Sequence, residues 1–411
     1  MRNYDKAIEC SKKALEISPK YAQAQNNIGD VYYDKEDYDK ATEYYQKAVD
    51  IAPKYAQAWY NLGASYLGKK DKVKAVECYQ KAIEIVPKYS WAYNGLGNIR
   101  YEEKKYDEAI ECYKKAFESN PTKSTFLTNL GNTYMDLENY SEAKKCYEQA
   151  VELEPTQRTP WRCLAEFYVK TDDLEKAVEI LHRAVEAMPE DSWVWGNLGE
   201  GYRSVKKDYK SALNYYQKSI ELGSEASFVW NGLGLTYYNL ENYNESLAAY
   251  QKALKFDPQN AFIWDNCGDT WRALENTDKA IECYQKAIEI NPKYASAWRN
   301  LGNTYKNLKN YDKAIECHQK SVDLNPKSSR AWFDFGVTYA KFNKDEKATV
   351  CFTKSIELDP KNAWSWAYIG LILSRHEMYK ESLQAFDKAL ELAPDNKAIQ
   401  NSRKEVLEKM N

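Results

Sequence analysis

The chain has 411 residues, 58 Lys and Arg against 61 Asp and Glu, and a formal net charge of -3; its mean hydropathy is -0.77. No apolar run reaches the about 18 residues of a membrane span, the first residues lack the charged-then-apolar layout of a secretory signal, and a pI near 5.9 disfavours a protein built around nucleic-acid phosphates. With 35 Tyr and 12 Trp but only 3 His, the composition leans away from enzymes, whose acid–base and metal chemistry draws heavily on His.

Taken from the N-terminus, the prolines set the organisation. Pro19, Pro53, Pro87, Pro121, Pro155 and Pro189 are 34 residues apart, as are Pro258, Pro292, Pro326, Pro360 and Pro394. A period of this size marks a stacked array. Residues 1–21 open on the second half of a repeat: Ala7, Cys10, Ala14 and Pro19 match positions that recur later. Eleven full repeats then start at Ala22, Ala56, Ser90, Ser124, Arg158, Ser192, Ser227, Ala261, Ala295, Ser329 and Ala363, covering 22–396. The repeat at 192–226 has 35 residues. Residues 397–411 read as a polar helix that closes the stack.

Within a repeat, position 4 is Trp in eight of eleven, position 8 is Gly in ten, and position 20 is Ala or Ser throughout. Apolar positions 4, 7, 8 and 11 form one stripe of a first helix, and 20, 24 and 27 a stripe of a second. Position 16 is Asp or Asn in eight repeats, a fitting N-cap for the second helix. The terminal Pro stops that helix. The Trp and Tyr abundance is then mostly core. Regularity breaks around 155–226, with Pro160 out of phase, an extra residue between Arg203 and Asp208, and Gly223-Ser224 in place of the Pro. Two readings stay open there: drift tolerated in a loop, or a change of curvature.

This pattern resembles the tetratricopeptide repeat family, whose Trp-x2-Leu-Gly-x2-Tyr…Ala-x3-Phe…Pro signature is nearly complete across Ala295–Pro326. The resemblance implies an all-α fold, a right-handed superhelical α-solenoid of helix-turn-helix hairpins. It also implies that positions 2, 5, 6, 9, 12 and 13 face a bound peptide. On that footing Asn27, Asn61, Asn129, Asn197, Asn266 and Asn300 at position 6, with Asn98, Asn132 and Asn303 at position 9, form a ladder able to donate to and accept from an extended backbone. Repeat consensus is the other reading of those amides. Trp193, Phe228 and Phe262, at position 2 of consecutive repeats, are candidate aromatic anchors or local packing. At positions 2, 5, 9, 12 and 13 the first four repeats carry Asp30, Asp34, Glu102 and Asp136 and no cation. The last three carry Arg299, Lys306, Arg330, Lys341 and Arg375 and no acid. This predicts a peptide-binding face that runs from acidic to basic.

Other chemistry finds little support. Seven of nine cysteines hold position 23, and equivalent positions lie about one helix diameter apart, too far for a disulfide, so they read as fillers in a reducing, cytoplasmic compartment. No metal-ligand spacing, phosphate loop or triad appears, and no cofactor is expected. The family's grip on acidic chaperone tails needs Lys and Arg at positions that lack them here. The expected function is a non-catalytic scaffold for an extended peptide or partner protein, with no nucleic acid or membrane. The alternative is the substrate-recruiting region of a larger enzyme such as a protein glycosyltransferase. The unpaired opening helix, with Ile8, Cys10, Ala14 and Leu15 on its apolar strip, is expected either to self-associate or to meet a missing repeat.

Overall fold

A computed structural model describes residues 4–410. Twenty-four α-helices and one π-helical turn make up the described residues, with no strand among them. The chain divides into two compact units, Met1–Gly201 and Tyr202–Asn411. Met1–Asn3 of the opening half-repeat and the final Asn411 lie outside the described residues.

From Ala22 on, outside the repeat at 192–226, a 13-residue helix alternates with a 14-residue one, as in Ala22–Asp34 and Tyr38–Ile51 or Ser124–Asp136 and Tyr140–Leu153. The position-16 side chains explain the second start. Asp37, Asp71, Asn139, Asp173, Asp208, Asn276 and Asn310 each accept the backbone N–H three residues on. Asn242 stands at the same place without making that bond. The residue before the cap turns the chain. In all eleven repeats it is a non-glycine in the left-handed region, from Glu36 to Glu377, with φ between 52 and 63°. Each such residue costs roughly 1 kcal/mol or more of backbone strain, offset by the cap and by the packing of the two helices.

That packing is close. A Cβ added at Gly29 would sit 2.6 Å from the Tyr45 ring, and one at Gly131 2.6 Å from Tyr147. The position-20 alanines, including Ala41, Ala109 and Ala314, are fully buried beside these rings. The cysteines of the second helices are free thiols. Cys78, Cys146, Cys283, Cys317 and Cys351 are buried, Cys112 is partly so, and Cys10 is exposed. Burial pushes the Cys146 and Cys283 thiols up to about 11. No group of three or more His, Cys, Asp or Glu able to hold a metal occurs among the described residues. None of their helices is long and apolar enough to cross a membrane.

The position-4 tryptophans differ from simple core. Most are half-buried, and their indole N–H donates to the carbonyl of the proline six residues earlier: Trp59 to Pro53, Trp161 to Pro155, Trp195 to Pro189, Trp264 to Pro258, Trp298 to Pro292, Trp332 to Pro326, at 2.7–3.3 Å. The proline thus ends one helix and presents an acceptor that anchors the next.

The irregular repeat is explained at both ends. After the helix Ser192–Gly201, Tyr202–Lys206 is π-helical, so the extra residue is absorbed as a widened helical turn rather than in a loop. Gly223, at φ 83°, replaces the terminal Pro. Six residues before Trp230 there is now Ser224, and the Trp230 indole nitrogen is buried without a partner. The helix Tyr4–Ile17 buries none of its residues. At the other end Lys397–Met410 buries Ile399 and Val406, packed with Phe386 and Ala389.

Trp298→Phe removes an indole bond, worth about 1 kcal/mol, that Trp230→Phe does not have to lose. Trp230→Phe is therefore expected to be the milder substitution by about that amount. Urea unfolding of the two variants, read by the shift in midpoint, checks the order.

Candidate functional site: the face of the first helices

Positions 2, 5, 6, 9, 12 and 13 of the first helices are shared between contacts to their own second helix, as Tyr60 to Tyr79 and Tyr33 to Tyr38, and contacts to neighbouring repeats. In the first unit most of the asparagines there are engaged between repeats. Asn61 donates to Asn26 at 3.0 Å and to Asp30 at 2.9 Å. Asn129 donates to Asn94 at 2.8 Å and to Asn98 at 3.4 Å. From below, the buried position-24 tyrosine completes each latch: Tyr45 donates to Asp30, Tyr113 to Asn98 and Tyr147 to Asn132, at 2.7–2.8 Å. Asn197 donates to the Trp193 carbonyl. Asn27 is exposed and accepts from Gln23.

The second unit repeats the scheme. Asn266 donates to Asn231 at 3.1 Å, and Asn300 to Asp265 at 3.0 Å. Tyr284 donates to Asp269 at 2.7 Å. Asn303 donates to Asp334 of the following repeat at 3.0 Å. The expected backbone-binding ladder is thus largely spent on holding neighbouring repeats in register. A position-6 amide faces away from its own hairpin, yet the preceding hairpin's polar side chains reach it.

Charge on this face also departs from expectation. In the first unit Asp30 and Asp136 accept from neutral groups, Asp136 from the Tyr101 hydroxyl, while Glu102 pairs with Lys72 at 2.9 Å. Burial, the largest cause, raises the Asp30 carboxyl above its ordinary range. In the second unit the basic end is partly cancelled. Asp334, at position 6, pairs with Arg299 at 3.6 Å, and both side chains are less than a quarter exposed. Arg375 pairs with Asp345 at 3.0 Å. Lys306 donates to Asn303 and is held below its ordinary range, chiefly by burial. Arg330 and Lys341 remain exposed. Asp265, buried and accepting from Asn300 and Tyr294, is pushed up to about 6 by burial and then by Asp269.

The aromatic anchors fare differently. Phe262 is 63% and Phe228 41% exposed, with Phe262 tilted against the Tyr294 ring at 4.8 Å. Trp193 is half-buried, with the Arg158 guanidinium 5.9 Å from its ring. Two further position-2 aromatics, Trp91 at 37% and Trp364 at 46% exposure, belong with them. The signal for both was the repeat position itself, which a search for consecutive repeats passed over.

The latch has two exceptions in the second unit. Tyr250 faces Leu235 at position 9, so its buried hydroxyl has no position-9 acceptor and lies beside the Ser246 and Thr270 side chains without a well-aligned hydrogen bond. His318 stands where nine repeats have Tyr or Phe and one has Leu181. It is fully buried, both ring nitrogens lack partners, and burial, then Lys306 and Arg299, pushes it down to about 3.

Tyr113→Phe is expected to cost about 1 kcal/mol and Tyr250→Phe to be neutral or stabilising, as denaturant unfolding would read. His318→Tyr restores the hydroxyl facing Asn303 and is expected to stabilise. Because folding depresses the His318 pKa from 6.5, its unfolded form takes up protons first as pH falls. Wild type therefore loses stability below about pH 6.5 that the Tyr variant keeps, a difference that unfolding at pH 7 and pH 5 resolves.

Family models match most of the chain in this register. The C-terminal domain of cilia and flagella-associated protein 70 matches residues 89–200 and 263–399. Tetratricopeptide repeat models match 1–54, 21–88 and 54–122, and 227–260. A Sel1 repeat model matches 196–224. No curated protein matches. Among solved structures the chain is similar to the APC/C hetero-tetramer Cut9–Hcn1, at 15% identity and TM-score 0.53 over 99% of this chain and 94% of that one. Yeast Tom70 gives 16% and 0.49 over 94% and 95%. YrrB, a tetratricopeptide repeat protein with an unusual peptide-binding site, gives 28% and 0.37 over 46% of this chain and 96% of that one. With the 34-residue hairpins, the Gly–Tyr contacts and the family-model matches together, the chain belongs to the tetratricopeptide repeat family.

Proposed function

We propose that the chain is a non-catalytic scaffold whose first-helix faces bind extended segments of partner proteins. The observation that carries this reading is the recurrence of solvent-exposed aromatics at one repeat position, Phe228 and Phe262 foremost, on a face whose neighbouring polar groups are already satisfied. Large exposed rings beside satisfied polar groups gain by being covered. The inter-repeat bonds make that face rigid, which lowers the ordering cost of binding. The charges left over on each unit, Asp30 and Asp136 on the first and Arg330 and Lys341 on the second, would steer a segment bound to that unit more than hold it. The engagement of the ladder amides between repeats removes one support from the alternative, a substrate-recruiting or regulatory region of a larger enzyme such as a glycosyltransferase.

Full-length protein, immobilised and challenged with a random peptide library, is expected to retain binders. The double variant Phe228→Ala/Phe262→Ala is expected to retain those seated on the second unit at least tenfold less. Equal retention by both proteins, with the variant's fold intact by circular dichroism, would count against the aromatic anchors.

A further inference from the structure

Within the first unit one stretch of this face is shaped for a particular occupant. A cavity of 280 Å³ opens between Trp91 and Pro160, with Thr125, Thr128 and Thr159 on its walls. Trp91 is braced edge-on against Phe126 at 5.1 Å, and Pro160, the one proline out of phase with the repeat, is buried in the first turn of Arg158–Lys170. The charged and amide groups of the lining, and the Thr128 and Ser124 hydroxyls, are occupied by bonds within the protein, apart from Gln157, while Thr125 and Thr159 add their methyl groups to the walls. The Thr128 hydroxyl donates to the Ser124 carbonyl, the Asn129 amide donates to Asn94, and Glu154 accepts from the Ser124 N–H, the Ser124 hydroxyl and Lys123. An occupant therefore gains chiefly by burying apolar surface, and the space suits one aliphatic side chain.

A second hollow of 200 Å³ lies at the other ends of the same helices, lined by Tyr101, Asn132, Asp136, Glu166 and Lys170. Helix C-termini carry partial negative charge. Glu166 is paired with Arg162 at 2.9 Å, whereas Asp136 accepts from the neutral Tyr101 hydroxyl. Across the repeats 22–157 no Lys or Arg occupies positions 2, 5, 6, 9, 12 or 13. From Thr128 to Asp136 is eight helical residues, about 12 Å, which an extended chain spans in about four residues.

Building on the scaffold reading above, we infer that this face docks an extended basic segment of a partner protein. An aliphatic side chain of the segment sits between Trp91 and Pro160, and a lysine or arginine about four residues away meets Asp136. The cavity provides the grip, and Asp136, bonded to the neutral Tyr101 hydroxyl with Lys170 as the cation on the same hollow, sets direction and charge preference.

The test selects phage-displayed random 12-residue peptides on the full chain at low salt and titrates individual binders. Selected peptides are expected to share an aliphatic residue and a basic residue at that spacing. Their affinity should fall at least tenfold with Trp91→Ala and with Thr125→Arg; Thr125 is exposed, so the second variant keeps the fold while filling the cavity. Asp136→Asn should weaken binding about threefold and flatten its salt dependence. Binders that lack a basic residue, or that ignore Asp136→Asn, would overturn the charge assignment. Binders unaffected by both cavity variants would overturn this docking site while leaving the scaffold reading in place. A selection that yields no binder would sink both.

Discussion

The close approach of a glycine on most first helices to a ring on the second is the constraint from which the rest follows. With the Gly131 Cα almost on the Tyr147 ring, nothing larger than hydrogen fits, and the two helices lie nearer than ordinary side chains permit. The ring then passes beneath the first helix and delivers its hydroxyl to the far side, where Asn132 accepts it. A contact that begins as packing inside one hairpin thereby becomes a polar contact on the surface that neighbouring hairpins share.

This explains why the same face looks so polar and yet offers so few free polar groups. Asp30 takes donors from its own repeat through Tyr45 and from the next through Asn61. Buried or half-buried polar groups are costly when unpaired and specific when paired, so each latch fixes which residue of one hairpin meets which residue of the next. Where position 9 turns apolar, at Val337 and Leu371, position 24 is Phe, as at Phe352 and Phe386. The departures leave recognisable debts, the Tyr250 hydroxyl without a position-9 acceptor and the two bare nitrogens of His318.

Much of this was legible in the sequence, because a 34-residue period with fixed Gly, Ala and Pro leaves little freedom for the hairpin. The helix pairs, the caps at Asp37 or Asn310 and the buried Cys146 all follow from local pattern. What resisted was whatever depends on a neighbour. Asn61 and Asn129 face away from their own hairpin, and only stacking shows that the preceding hairpin claims them. The basic run ending the chain seemed free of acids because Asp334 sits at position 6, yet it is the residue that neutralises Arg299. The inserted residue near Tyr202 admitted two readings, loop drift or a change of curvature, because a helix can also widen by one residue without giving up its hydrogen bonds. Trp91 and Trp364 lay in plain view at position 2, separated from the other aromatics by intervening repeats.

The latches also say what kind of modularity this array has. Each one is written half in one hairpin and half in the next: Asn129 is useful because Asn94 precedes it, and Asn300 because Asp265 does. Hairpins cut out at their prolines would therefore carry mismatched halves, an amide facing an alanine such as Ala64 or a carboxylate facing nothing. Lineages that gain or lose repeats from such a chain preserve its fit only when the breakpoints fall inside hairpins, so that whole junctions travel together. The heritable module is the seam between two neighbours, and the 34-residue period records its spacing.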